Sequence, residues 1–297
     1  MLEKLPSGAK VLIIRLRSLG DCVLTTPAIH ILKQHRPDLR VAVMVEDRFA
    51  AIFRGNPDIS AVLPPHPAAA LVWNPKLTIN FHGGSRSMWL TLASTAPYRA
   101  GFGHFRNQNI YNLRIPRAQE ILNEERTVHT AEHMASAMFW LGAKRMDIPR
   151  ARIHVAVVPA DRPYAVIHPL ASTESKSWPA QRFLEVARAL QHLEPVFVGG
   201  PGDDLSTFSE FRTQINHSLK DTLILIQSAS LFIGNDSGPA HIAAAFNIPL
   251  VVLFGESDPV IWAPWRAHAQ TLLAKGAMDR IATADVLTAI EALGVAA

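Results

Sequence analysis

The stretch at residues 231–256 constrains the fold of this chain most strongly. Short apolar runs at residues 231–234 and 249–254 predict two buried strands. The Ala-rich run between them, residues 239–246, predicts a helix with a proline in its first turn. Strand, turn, helix and strand make a βαβ unit, so the sequence predicts an α/β fold with parallel strands.

The turn inside this unit, GNDSG at residues 234–238, predicts an anion site. Ser237 is a candidate N-cap, and the helix N-terminus at Gly238 offers unpaired N–H groups and a dipole that both favour negative charge. The carboxylate of Asp236 would repel a phosphate, so it fits better beside a sugar hydroxyl or a divalent cation. The alternative is that Asp236 and Ser237 only cap the helix.

A second candidate site follows the first predicted strand, KVLIIRL at residues 10–16. The strand ends in a glycine turn that contains Gly20 and Asp21, and a helix runs on to about residue 35; Thr26-Pro27 is an alternative start for that helix. Ligands of doubly wound sheets bind beyond the carboxyl ends of the strands, which predicts that Asp21 acts there as a general base. A helix cap is again the alternative.

Polar loops also follow three other predicted strands, at residues 77–81, 164–168 and 195–198. The residues there with candidate roles are His82, Gly83 and Arg86 in the first loop, Ser172 and Lys176 in the second, and Asp203 in the third. Lys176 could neutralise a diphosphate, or it is an ordinary surface lysine. Asp203 could bind ribose hydroxyls, or it caps a helix predicted from residue 205 onward.

Charge is distributed unevenly along the chain. Residues 1–160 contain 20 Lys and Arg against 11 Asp and Glu, whereas residues 161–297 contain 9 against 14. The basic half predicts an anionic partner or a membrane surface with acidic lipids, and Arg106 lies in an arginine-rich segment suited to phosphate or carboxylate. No RNP-like segment, zinc-finger spacing or long basic run is present, so nucleic acid is not an expected partner.

The segment HTAEH at residues 129–133 matches the inverted zinc-peptidase signature H-x-x-E-H. The match is short, and no glutamate further along the chain is placed to supply a third ligand. We expect instead a structural helix that packs Met134 and Met138 inward, and no metal site. Cys22, the single cysteine, is expected to be a small buried residue and not a nucleophile.

The length of 297 residues suits two domains, which we place at residues 1–158 and 159–297. The Pro-rich residues 64–75 predict a loop. One cysteine, no signal peptide and no apolar run of about 18 residues predict a cytoplasmic protein. Neither G-x-G-x-x-G nor the P-loop motif occurs, which disfavours nicotinamide and P-loop chemistry.

Four motifs, taken in order, resemble those of the bacterial lipopolysaccharide heptosyltransferases. They are R-x-x-x-L-G-D-x-V-L-x-T-P at residues 15–27, N-F-H-G-G at residues 80–84, K-x-W-P at residues 176–179, and G-N-D-S-G-P-x-H at residues 234–241. The resemblance covers nearly the whole chain. It implies the GT-B architecture, in which two Rossmann-like, doubly wound parallel-sheet domains face a central cleft, with acceptor on the N-terminal side and nucleotide-sugar on the C-terminal side.

The resemblance implies inverting transfer of heptose from ADP-heptose to an anionic inner-core glycolipid, with no required cofactor. The resemblance is compatible with bound Mg²⁺ and with peripheral contact with the cytoplasmic face of the inner membrane, and it requires neither. The implied residues are Asp21 as general base with Lys176 beside the leaving group; Ser172, Asp203, Asp236, Ser237, Gly238 and His241 for the donor; and Gly20, His82, Gly83, Arg86 and Arg106 for the acceptor. The alternatives are another sugar-nucleotide enzyme on this fold, such as an epimerase, and a non-catalytic binder.

Overall fold

A computed structural model describes residues 1–215 and 217–295. The chain divides into two compact units, Met1–His154 and Val155–Ala297. The boundary that we placed at 158/159 from the sequence lies four residues beyond this division. Each unit holds one six-stranded sheet in which every paired strand is parallel. The predicted α/β class with two Rossmann-like, doubly wound sheets is therefore confirmed.

The first unit alternates strands with helices. Its strands are β1 (Lys10–Ile14), β2 (Arg40–Met44), β3 (Ala61–Leu63), β4 (Leu77–Asn80), β5 (Tyr98–Phe102) and β6 (Leu113–Ile115). Its α-helices are α1 (Leu19–His35), α2 (Pro67–Trp73), α3 (Ser85–Ala93), α4 (Ala118–Leu122) and α5 (Thr130–Leu141). Short 3-10 helices occur at Leu2–Lys4, Asp47–Ile52 and Gln108–Ile110.

The second unit repeats the pattern. Its strands are β7 (Tyr164–His168), β8 (Glu194–Val198), β9 (Arg212–Gln214), β10 (Leu231–Asn235), β11 (Leu250–Phe254) and β12 (Ala269–Leu273). Its α-helices are α6 (Ala180–Ala189), α7 (Leu219–Gln227), α8 (Gly238–Phe246), α9 (Pro259–Trp262) and α10 (Thr283–Ala292). Short 3-10 helices occur at Glu174–Lys176, Ser206–Phe208 and Met278–Arg280.

Both sheets have the same topology. The order is β3-β2-β1-β4-β5-β6 in the first unit and, read from the other edge, β9-β8-β7-β10-β11-β12 in the second. The chain therefore reverses direction across each sheet at one place, between β1 and β4 and between β7 and β10. The loops that leave these strand pairs diverge to opposite faces and leave a crevice at the carboxyl ends, which is where such folds bind ligands.

The central strands β1, β7, β10 and β11 are buried on both faces, which explains their largely apolar sequences. In the first unit, Leu12 and Ile14 pack against Ala70 of α2 and Leu90 of α3 in one cluster of buried side chains. In the second unit, buried side chains that include Ile167 and Phe183 form another cluster. Each large side chain that is fully removed from water contributes about 1.5–3 kcal/mol to the stability of its unit.

The prediction of a loop at residues 64–75 is wrong, because α2 occupies most of that segment. The ring of His66 accepts a hydrogen bond from the backbone N–H of Ala68, Pro67 stands in the first turn, and Asn74 ends the helix in the left-handed conformation. Proline is compatible with the first turn of a helix, since the N–H that it lacks would be unpaired there in any case. The Pro-rich composition thus marked the start of a helix.

Two predicted helix boundaries are also wrong. The start considered at Thr26-Pro27 lies inside α1, where Pro27 cannot donate to the carbonyl of Val23 and the hydroxyl of Thr26 donates to it instead, at 2.8 Å. The helix predicted from residue 205 onward is only the 3-10 helix Ser206–Phe208, followed by β9. Among the described residues, no helix combines the length and apolar character needed to cross a bilayer.

Gly234 is required by the close approach of β10 to β7. A Cβ on this residue would lie 2.8 Å from the backbone oxygen of His168, closer than non-bonded atoms come. We expect Gly234→Ala to destabilise the second unit by about 1–3 kcal/mol, because a strand must shift to admit the methyl group. Thermal unfolding followed by circular dichroism measures the change.

The matched control for this prediction is Gly200→Ala. Its added Cβ would meet only the carboxylate of Asp203, at an ordinary contact distance of 3.5 Å. Equal melting temperatures for the two variants would contradict the strand-contact argument.

Candidate functional site

The first unit has a polar pocket at the carboxyl ends of β1 and β4. It encloses about 510 Å³ and is lined by Arg15, Arg17, Ser18, Asp21, Arg48, Phe49 and His82. Three arginines thus line the same pocket as the Asp21 carboxylate, and Arg48 is also paired with Glu46 at 2.9 Å. The surplus of positive charge suits an anionic ligand that approaches Asp21.

Asp21 is held by hydrogen bonds while it stays accessible. One carboxylate oxygen accepts from the hydroxyl of Ser18 at 3.0 Å and from its N–H at 3.3 Å, as in a capping box. The other lies 3.4 Å from the guanidinium of Arg15, and 21% of the side chain is exposed. Asp21 therefore caps the helix, as the alternative interpretation predicted, and its carboxylate also lines the pocket.

Arg15 is a buried charge, with 5% of its surface exposed. One amino group contacts the sulfur of Met134 at 3.2 Å, and Nε has no hydrogen-bond partner among the described residues. Burial lowers the pKa of the Arg15 guanidinium, and the neighbouring Asp21 carboxylate opposes that shift. Arg15 thereby holds one side of Asp21 in place from below the pocket.

His82 and Gly83 come to the pocket from the end of β4. The N–H groups of both residues donate to the side-chain oxygen of Asn80, which turns the chain sharply. Gly83 has a φ of +76°, and a Cβ there would lie 2.5 Å from the ring of Phe105. Burial, and then the positive charge of Arg15, lower the pKa of His82, which favours the neutral form of its imidazole.

In the second unit, the buried side chain of Asn235 fastens the loop after β7 to the end of β10. Its amide nitrogen donates to the carbonyl of Pro169 at 2.8 Å, and its oxygen accepts from the N–H of Trp178 at 3.1 Å. Both ends of the loop that carries Ser172 and Lys176 are therefore attached to one strand. This arrangement brings two sequence motifs, K-x-W-P and G-N-D-S-G, to the same crevice.

The polar groups of that crevice pair across it. The ammonium of Lys176 lies 3.9 Å from the carboxylate of Asp236, and both side chains are partly exposed. The hydroxyl of Ser237 lies 3.2 Å from Nδ1 of His168. Ser237 occupies the N-cap position of α8, as predicted, but its side chain makes no capping hydrogen bond to the helix.

The remaining predicted site residues are placed less closely. Ser172 is exposed on the loop after β7, and His241 is buried in the first turns of α8. Asp203 accepts from the N–H of Gly200 at 2.6 Å and so closes the glycine turn after β8. Arg86 lies 3.5 Å from Glu46, and Arg106 is exposed after β5; neither lines the pocket around Asp21.

The H-x-x-E-H segment forms the start of α5, as expected for a structural helix. The ring of His129 accepts from the N–H of Ala131, and Glu132 accepts from the N–H of His129 and pairs with both amino groups of Arg126. The ring of His133 stacks on Phe102 at 4.0 Å. Nowhere in residues 1–215 or 217–295 do three or more His, Cys, Asp or Glu side chains gather to hold a metal ion.

Cys22 is buried directly behind Asp21, and burial raises the pKa of its thiol to about 12. The thiolate that a nucleophile needs is therefore not populated near pH 7. This agrees with the prediction that Cys22 is a packing residue.

Several site residues escaped the sequence reasoning. Arg17 and Arg48 line the pocket, while His168 and Asn235 organise the second crevice. The doublet of arginines at the end of β1 was a usable signal, because charged side chains directly after a buried strand face the ligand edge of the sheet. Arg48 had no such signal, since it comes from a 3-10 helix between two strands.

Comparisons with known proteins find similarity to one family. The model of glycosyltransferase family 9 (heptosyltransferase) matches residues 76–285. Lipopolysaccharide heptosyltransferase 3 of Escherichia coli is 28% identical over 287 residues, which cover 83% of each chain.

Two solved structures share the fold. One is the E. coli ADP-heptose lipopolysaccharide heptosyltransferase II, with a TM-score of 0.81 and 19% identity, covering 96% of this chain and 98% of the other. The other is E. coli heptosyltransferase WaaC with ADP, with a TM-score of 0.80 and 19% identity, covering 96% of this chain and 99% of the other. At this level of identity, the likeness shows the fold alone.

The pKa of His168 predicts a pH dependence of stability. Withdrawal of the ring from water lowers this pKa from 6.5 to about 4, so the unfolded chain binds a proton here that the folded chain does not. We expect the free energy of unfolding to receive its full contribution from neutral His168 above pH 6.5. This free energy should fall by up to about 3 kcal/mol as the pH is lowered towards 4.

His168→Gln should flatten this part of the stability curve, measured by denaturant unfolding across that pH range. The exposed residue His192, changed to Gln, provides the control with the same loss of an imidazole. If both variants keep the slope of the parent chain, the pKa assignment is wrong.

Proposed function

We propose, because the chain belongs to glycosyltransferase family 9 (heptosyltransferase), that it transfers heptose from ADP-heptose to an anionic acceptor of the lipopolysaccharide inner core with inversion at the anomeric carbon. The observation that carries the proposal is the placement of the motif residues. Asp21 and His82 lie at the carboxyl ends of β1 and β4, and Lys176 and Asp236 lie at those of β7 and β10. Both groups therefore sit where a doubly wound sheet binds its ligands.

The donor and acceptor classes are taken from the relatives. A 28% identical protein is named a lipopolysaccharide heptosyltransferase, one structure of the same fold is named for ADP-heptose, and another contains ADP. The excess of arginine around Asp21 supports an acceptor that carries carboxylates or phosphates. We assign the acceptor to the first unit and the nucleotide-sugar to the second.

In the proposed reaction, the carboxylate of Asp21 takes the proton of the acceptor hydroxyl as that oxygen attacks the anomeric carbon of heptose. The bond from this carbon to the diphosphate oxygen breaks on the opposite side, which inverts the configuration and releases ADP. Ser18 and Arg15 hold the Asp21 carboxylate in one orientation, so that little reorganisation is needed when the proton moves. Gly20, His82, Gly83, Arg86 and Arg106 are the proposed acceptor contacts.

In this proposal, residues of the second unit stabilise the leaving group. The ammonium of Lys176 would follow the charge that develops on the diphosphate, together with Ser172, Ser237 and the N–H groups at the start of α8, from Gly238. The remaining proposed donor contacts are Asp236 to heptose hydroxyls, Asp203 to ribose, and His241 to phosphate or to the turn itself. Lys176 already balances the charge of Asp236, so these residues fit Mg²⁺ poorly and we derive no step through a metal.

A donor screen tests the proposed function. The purified chain, with an inner-core oligosaccharide acceptor, should release ADP from ADP-heptose and a product heavier by one heptose, both detected by mass spectrometry. UDP-sugars and GDP-sugars should release no nucleotide above background. Turnover of a UDP-sugar without turnover of ADP-heptose would favour another enzyme on this fold, and donor binding without any turnover would favour a binding protein.

Asp21→Asn tests the general base. The substitution keeps the shape of the side chain and removes its basicity, so kcat should fall by about 100-fold to 10,000-fold while the Kd for ADP stays within about twofold. Steady-state kinetics and calorimetry measure the two quantities. Asp147→Asn, at an exposed carboxylate of the same unit, is the matched control and should leave both quantities unchanged. A kcat for Asp21→Asn close to that of the parent chain would remove Asp21 from the proposed mechanism.

A further inference from the structure

The first unit presents apolar side chains to solvent on the outer side of α2 and α3. The exposed fractions are 54% for Leu71, 80% for Val72 and 64% for Trp89, and Ala68 is exposed beside them. We name these four residues the apolar face. Residues 68, 71 and 72 have the i, i+3, i+4 spacing that puts side chains on one side of a helix.

The two helices that carry the apolar face rest on the same side of the sheet. Ala70 of α2 and Leu90 of α3 belong to a single buried cluster, one residue away from the exposed positions 71 and 89. The guanidinium of Arg86, one turn before Trp89, reaches the carbonyl of Pro65 just before α2 at 3.4 Å. The two helices thus lie side by side, with Leu71 and Val72 of α2 and Trp89 of α3 exposed to solvent.

Positive charge accompanies this surface. Residues 59–119 contain six Lys and Arg and no Asp or Glu, and they include both helices. Three basic residues are neighbours at the amino ends of adjacent strands: Arg40 begins β2, Lys10 begins β1, and Lys76 immediately precedes β4. We name these three residues the basic edge.

The basic edge adjoins the apolar helix α2. The ammonium of Lys10 lies 5.1 Å and the guanidinium carbon of Arg40 5.7 Å from the ring centroid of Trp73, the last residue of α2. Long cationic side chains beside a tryptophan and exposed aliphatic groups match the boundary of a bilayer, where lipid headgroups meet acyl chains.

We propose that the apolar face and the basic edge bind the surface of a membrane that contains anionic lipids. Leu71, Val72 and Trp89 enter the boundary between headgroups and acyl chains, and the cations of the basic edge contact lipid phosphates. The inference deepens the proposed function and rests on it for its purpose, since a glycolipid acceptor is embedded in such a surface.

Vesicle binding tests the inference directly and needs neither donor nor acceptor. The purified chain should sediment with vesicles of phosphatidylcholine and phosphatidylglycerol, and much less with phosphatidylcholine alone. Added salt should weaken the binding, because it screens the attraction of cations to the lipid charge. Brominated acyl chains should quench tryptophan fluorescence, and Trp89→Phe should remove most of that quenching.

Two sets of variants separate the apolar and basic contributions. The triple variant Leu71→Ser, Val72→Ser, Trp89→Ser and the double variant Arg40→Gln, Lys76→Gln should each lower the partition coefficient on anionic vesicles by about tenfold or more. The control for the triple variant is Val157→Ser with Val260→Ser, which removes exposed apolar groups of the second unit. The control for the double variant is Lys144→Gln with Arg150→Gln, which removes the same charge elsewhere on the first unit. Both controls should bind as the parent chain does.

Transfer to a water-soluble acceptor should be unchanged in all these variants, which distinguishes failure of this inference from failure of the proposed function. Equal binding to neutral and anionic vesicles, or face variants that bind like the parent chain, would overturn the inference. The inference would also be overturned if the parent chain were a dimer in analytical ultracentrifugation and only the triple variant were monomeric while it still bound vesicles. The apolar face would then be an interface between copies.

Discussion

The reversal of strand order within each sheet is the constraint on which the candidate sites depend. Parallel strands need crossover helices, and where consecutive crossovers leave to opposite faces, the carboxyl ends of two adjacent strands are left uncovered. In this chain those pairs are β1 with β4 and β7 with β10. Asp21 and His82 come from the first pair, and Lys176 and Asp236 from the second, although they are far apart in sequence within each pair.

Each crevice is built around a polar side chain whose first role is structural. Asn235 bonds to both ends of the loop after β7, and Asn80 turns the loop after β4. These buried amides cannot be lost without leaving backbone groups unpaired, so they hold the reactive loops in one conformation. The chain thereby obtains rigid positions for flexible groups such as the ammonium of Lys176.

Capping and chemistry share residues in this protein. Asp21 completes a capping box with Ser18 and also faces the arginine-lined pocket, and His129 and Glu132 form another capping box at the start of α5. Ser237 stands at a helix start and bonds to His168 instead. A carboxylate or hydroxyl at the start of a helix is therefore informative only when its surroundings are known, because the same local geometry serves both purposes.

The sequence by itself determined the α/β class, the two units, the strands that carry the motifs, and the loops at which Asp21, His82, Lys176 and Asp236 would be found, because apolar runs and glycine turns are local signals. It misassigned residues 64–75, where prolines begin a helix, and it did not find Arg48 or His168. Only the tertiary structure decided which strand ends are neighbours, that Arg15 is buried against Asp21, and that α2 and α3 turn apolar side chains to solvent. Those properties arise from contacts between residues distant in the chain, and no local pattern records them.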